Sequence, residues 1–178
     1  MKRLIPVLMV VIPLLVAAEP ATQPSYRRYD NPGEAKLWSI QVPSDWKASD
    51  RFARRGILQF QSPDAPALTM TVSSVAGLVL PDKPEISMLD MAFPDAEPMT
   101  DPMPMRGDGW IGLFRTYQHK HAAGRNHVGL VAMRDDAIVL VTVTSDERMT
   151  GPQTQAVAAI ISRLRLGAET PPATQPAP

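Results

Sequence analysis

Trp38, Ile40 and Val42 alternate with Ser39 and Gln41, the period of two that marks a strand with one buried face. Pro43, Ser44 and Asp45 then force a turn, after which Trp46 folds back on the sheet. A short strand is expected over 57–61, closed by Ser62-Pro63-Asp64, and a third over 68–75, where Leu68, Met70 and Val72 share one face and Thr69, Thr71 and Ser73 the other. Three longer strands follow over 110–121, 127–134 and 137–145. Gly124 and Asn126 sit in the first connection and Asp135-Asp136 in the second, residue types that tolerate the backbone angles of tight hairpins, so the pairing is antiparallel and local. In the last strand Val139, Val141 and Val143 face one way and Ile138 and Leu140 the other. A strand that is apolar on both faces must be covered on both.

One cover is an amphipathic C-terminal helix that begins at Pro152, buries Val157, Ile160, Ile161 and Leu164, and stops at Gly167. A second helix is predicted over 84–93, with Ile86, Leu89 and Phe93 in one stripe and Pro94 as its end. An antiparallel sheet sandwiched between helices makes the fold class α+β. The sandwich occupies residues 26–167. Ahead of it, Met1-Lys2-Arg3 and the uncharged run over 4–18 read as a signal peptide ending in Val16-Ala17-Ala18. The run is shorter than the ~20 apolar residues of a membrane span and contains Pro6 and Pro13. Pro20-Ala21-Thr22-Gln23-Pro24 recurs as Pro172-Ala173-Thr174-Gln175-Pro176, so residues 19–25 are a Pro-rich linker and 168–178 a disordered Pro-rich tail. A polyproline recognition ligand is the alternative for the second copy.

The opening strand with its Pro43-Ser44-Asp45-Trp46 close, the following Phe60-Gln61-Ser62-Pro63, the strand over 68–75, the strand run over 110–145 containing Tyr117, and a final helix closing in Ser162-Arg163-Leu164-Arg165-Leu166 together resemble the PsbP-like family, including the bacterial envelope proteins related to DcrB. Its fold is shared with a Ran-binding nucleotide release factor. The likeness spans most of 37–166. It implies an α/β/α sandwich with a binding or assembly role, not an enzyme, and supplies no catalytic residues. Members of the family have a longer middle helix, whereas Pro94, Pro98, Pro102 and Pro104 interrupt the corresponding segment here.

Composition narrows the function further. The 178 residues carry 18 Lys and Arg against 18 Asp and Glu, without the basic excess that holds a phosphate backbone, so nucleic acid is not an expected partner. The signal peptide makes the expected setting periplasmic or secreted, with no transmembrane segment after signal removal, and removal of residues 1–18 takes away Lys2 and Arg3 and leaves a weakly acidic product of 16 basic against 18 acidic side chains. There is no cysteine, which excludes disulfides, thiolate metal sites and thiol nucleophiles. Neither a Gly-x-Ser-x-Gly elbow nor a glycine-rich phosphate loop occurs, and no cofactor is expected.

Three groups of side chains remain as candidates. Met88, Met91, Met99, Met103 and Met105 crowd one segment; the first two belong to the predicted helix and its core. Met99, Met103 and Met105 stand among prolines as an extended, adaptable contact loop, and with Trp46 they are the expected binding residues for an envelope protein or small ligand. Thioethers also suit cuprous ion. His119 and His121, two apart on one strand, face His127 across the turn, a zinc or copper ligand set in the alternative reading of a metal-handling protein. The bland reading is an exposed polar hairpin tip, with Lys120 and Arg125 among the rings. Lys47, Arg51, Arg54 and Arg55, beside Trp46 and Phe52, form one basic cluster, either a solvated face or a contact for an anionic polymer or lipid surface.

Overall fold

The computed structural model describes residues 24–32, 36–63, 67–122 and 124–167; the expected signal peptide, most of the linker and the tail lie outside them. In chain order the elements are β1 (Tyr26–Asp30), β2 (Trp38–Pro43), β3 (Lys47–Ser49), a tight helical turn (Ala53–Arg55), β4 (Leu58–Gln61), β5 (Leu68–Val75), α1 (Ile86–Asp90), β6 (Ala96–Pro98), β7 (Met103–Gly107), β8 (Trp110–His119), β9 (Asn126–Arg134), β10 (Ala137–Ser145), α2 (Gly151–Ile161) and β11 (Arg165–Leu166). An eight-stranded sheet runs β3-β4-β5-β10-β9-β8-β6, with β7 also on β8, and a smaller sheet runs β1-β2-β11. Every pairing between these strands is antiparallel.

The main core lies between one face of the large sheet and a layer made of the small sheet with α2. Val139, Val141 and Val143 of β10 are essentially inaccessible there, opposite Trp38, Ile40 and Val42 of β2 and Val157, Ile160 and Ile161 of α2. Full burial of such side chains contributes about 1.5–3 kcal/mol each. A capping box starts α2: Thr150 Oγ1 accepts from the Gln153 backbone N–H at 3.4 Å, and Gln153 Oε1 accepts from the Thr150 N–H at 2.9 Å. Trp46 folds back as expected, with 6% exposure.

The second face differs from the expected helical layer. Leu89 and Phe93, with Ile86 and Met88 beside them, cover Tyr117, Val131 and part of Leu113, Ile138 and Leu140, but α1 has only five residues and Ile138 and Leu140 stay half-buried. The helix expected over 84–93 forms only in its middle: Glu85 is extended at the N-cap, and past Asp90 the chain tightens into turns in which the Ala92 and Phe93 N–H groups donate to the Leu89 and Asp90 carbonyls. Among the described residues the architecture is thus mostly antiparallel β with the two helices α1 and α2. Met91, expected in the core, is 75% exposed beyond the end of α1.

Three further differences have local causes. The C-terminal helix stops at Ile161 rather than running to Gly167, because Leu164 drops into the core and Arg165 and Leu166 pair with Ser39 and Trp38. The first strand, β1, pairs with β2 from Tyr26↔Pro43 to Asp30↔Ser39, although its polar sequence carries no alternation. Finally, the Met- and Pro-rich segment is not a free loop; it supplies β6 and β7.

Candidate functional site

Residues 96–107 lie along the outer side of β8 as an edge strand in two pieces. Ala96, Glu97 and Pro98 pair with His119, Gln118 and Tyr117, and 103–107 pair with Phe114 down to Trp110. Between the pieces the chain bulges but stays attached: the Met99 N–H donates to the Thr116 carbonyl at 2.9 Å, and the Arg115 Nε–H donates to the Thr100 carbonyl at 2.9 Å. Arg115 Nη1 also reaches Asp90 Oδ1 at 3.3 Å, and the Tyr117 hydroxyl donates to the same oxygen at 3.0 Å. The Asp90 carboxylate thus ties α1 to β8, and Arg115 links that pair to the bulge. Burial, and after it the Asp90 carboxylate, push the Tyr117 phenol well above its ordinary range, which keeps it a donor.

Along this edge Pro98, Pro102 and Pro104 have no N–H to offer an incoming strand. What the edge presents is side chains. Met99 is 52% and Met103 47% exposed, whereas Met105 is half-buried against the main core. Met103 and Met105, two apart on β7, share one face of the sheet, where Met105 packs on the main core and Met103 stays about half exposed. Trp46 is not near them. It lies in the core at the other end of the large sheet and helps line an open groove of about 710 Å³ with Arg27, Tyr29, Lys47, Ser49 and Leu58. The structure thus brings Met99 and Met103 to one edge and separates Trp46 from it.

The histidines gather at the β8–β9 hairpin tip. The His119 and His127 ring centroids are 5.8 Å apart, and those of His119 and His121 are 6.1 Å apart. His119 Nδ1 accepts from the His121 backbone N–H at 3.1 Å, and His127 Nδ1 lies 3.1 Å from Thr144 Oγ1. Among the described residues no three His, Asp or Glu side chains are disposed to hold a metal ion. His127 stacks on Phe93 at 5.2 Å; its burial, then the His119 and Arg125 charges, pull its pKa below the ordinary imidazole value.

Asp90, Thr100 and Arg115 position the edge and were not singled out from the sequence. Their contacts span 15 to 27 residues and carry no local spacing signal. The alternation of Met103, Pro104 and Met105 was a readable signal for β7, masked by the prolines.

No family model matches this chain, and no curated protein matches it. Solved structures do. A Bacteroides thetaiotaomicron crystal structure aligns with a TM-score of 0.55 at 14% identity over 80% of this chain, which spans 48% of that protein. Cyanobacterial PsbP (CyanoP) from Synechocystis aligns with a TM-score of 0.52 at 14% identity over 85% of this chain and 98% of its own. LpqN of Mycobacterium tuberculosis, described as involved in cell envelope biogenesis, aligns with a TM-score of 0.51 at 11% identity over 82% of this chain and 92% of its own. Identities this low speak to backbone architecture alone, and on that architecture the chain has the PsbP-like fold that its sequence resembles.

Proposed function

We propose that the chain is an exported, non-enzymatic binding or assembly protein of the cell envelope, and that it takes its partner on the side chains of the β6–β7 edge. The observation that carries the reading is the pair Met99 and Met103, half-exposed on an edge anchored at the Thr100 carbonyl by Arg115 of β8, which Asp90 of α1 holds in turn. A pair of unbranched thioethers gives adaptable apolar contact, and the fixed backbone leaves only the two side chains to be ordered on binding. The prolines direct recognition to these side chains and away from strand addition. The cationic start and apolar run of residues 1–18, and the envelope role stated for LpqN, support an extracytoplasmic setting, periplasmic or secreted. No helix of the described residues is long and apolar enough to cross a membrane. In this reading α1 is the whole helical part of the second layer of an α/β/α sandwich.

Retention of a specific envelope protein by the immobilised chain, and its loss when Met99 and Met103 are both replaced by Ser, is the expected outcome. Equal retention by both forms, or retention of nothing above background, would contradict it. The second reading, copper or zinc handling, rests on the presence of three imidazoles at one hairpin tip, which would have to close up from ring separations of 5.8 and 6.1 Å to share an ion. Metal analysis of chain purified without chelator separates the two. A stoichiometric metal abolished by His119→Ala would favour the hairpin tip as the site.

A further inference from the structure

The end of the large sheet where β5 stops carries a concentration of exposed apolar side chains. Val75 is 55% and Leu78 40% exposed, and Val79 is fully exposed. The loop they belong to leaves the sheet beside Ile138 and is tied back by a bond from the Leu78 N–H to the Asp136 carbonyl at 3.2 Å. On its other side, the register Leu58↔Val72 brings Gly56 next to Ser74, and a Cβ on Gly56 would lie 3.8 Å from Ser74 Oγ. The helical turn Ala53–Arg55 therefore stands beside Val75. That turn and its approach contribute Arg51, Phe52, Arg54 and Arg55, with Phe52 38% exposed and the Arg51 guanidinium 5.4 Å from its ring. Asp50 is the sole acid in 50–56, and among the described residues no ion pair engages Arg54 or Arg55. On the opposite flank lie Asp82, Asp135 and Asp136, where Asp135 is paired with Arg134 at 3.3 Å.

We propose that this end docks on an anionic lipid bilayer: Leu78 and Val79, with Phe52 and Val75 behind them, enter the interfacial layer while Arg51, Arg54 and Arg55 meet the headgroup phosphates. Exposed apolar side chains with guanidinium groups on one flank match the change of a bilayer from hydrocarbon to anionic surface. A protein partner would call for a broad apolar patch with a packed centre, whereas the exposed large apolar side chains here are Phe52, Val75, Leu78 and Val79, with Arg54 and Arg55 beside them. The proposal rests on the envelope reading above for its setting, but vesicle binding is measured without any protein partner, so the two fail separately.

The test is cosedimentation of the chain recovered after export with vesicles of equal parts phosphatidylglycerol and phosphatidylcholine, against vesicles of phosphatidylcholine alone, at low and high salt. Binding is expected to the anionic vesicles, weakened by salt. Arg54→Gln and Arg55→Gln should each weaken it about fivefold. Leu78→Ser with Val79→Ser should weaken it at least as much without changing the circular dichroism spectrum, and inorganic phosphate should not substitute for the vesicles in protecting this end from hydrogen exchange. Absence of binding to anionic vesicles at low salt, equal binding to neutral ones, or unchanged binding by the two arginine variants or by the loop variant would overturn the proposal. So would a loop variant that converts a dimer to a monomer without lipid, since the tip would then face a second copy of the chain.

Discussion

His127 sits where the hairpin tip meets α1, with Phe93 against its ring, Thr144 on Nδ1, and the His119 and Arg125 charges facing it. Because its folded pKa is pulled down, the unfolded chain binds the proton more tightly. Stability is therefore level above about pH 6.5, falls as the pH drops from there through the lower folded value, and loses no more from this group below it. Urea midpoints measured across that window should decline for the native chain and decline less for His127→Gln; parallel curves would contradict the assignment. Tyr117→Phe removes one of two donors to Asp90 and should cost about 1 kcal/mol in the same assay. The histidine group was legible because His119 and His121 share a strand face and His127 follows one turn later. The Tyr117–Asp90 bond, 27 residues apart, left no trace in the local pattern.

At the scale of elements, α1 reaches β9 only because position 129 has no side chain: a Cβ on Gly129 would stand 2.8 Å from the Phe93 ring and 3.0 Å from Leu89. Gly129→Ala should cost about 1–3 kcal/mol by overpacking and raise hydrogen exchange in α1 ahead of β9. At α2, Thr150→Ala breaks the capping box and should cost about 1 kcal/mol. The strands at 68–75 and 137–145 were readable to the residue, because one buried face imposes a period of two that nothing interrupts. β6 and β7 were not. Their prolines signal a break wherever a strand needs donors on both sides, and an edge needs them on one. β11 is two residues long, set by its register on β2 rather than by its own sequence.

Across the whole molecule, the two apolar faces of β10 receive unequal cover. The valine face is sealed by α2 and the small sheet, and the Ile138 and Leu140 face is only half-buried beneath α1. The demand for cover on both faces was legible; its helical extent was not, because α1 gives way after little more than one turn to tighter turns at Ala92 and Phe93 that the apolar stripe Ile86, Leu89 and Phe93 does not foretell. The candidate surface was legible as a methionine cluster but not as an edge, and Trp46 fell away from it into the core. The surface reading is tested most directly by photo-crosslinking in the living envelope. A photoreactive residue at position 103 should give one dominant adduct that Met99→Ser suppresses, while a probe at Gln155, on the exposed side of α2, gives none. The same adducts from both positions, or none from position 103, would contradict recognition at the β6–β7 edge.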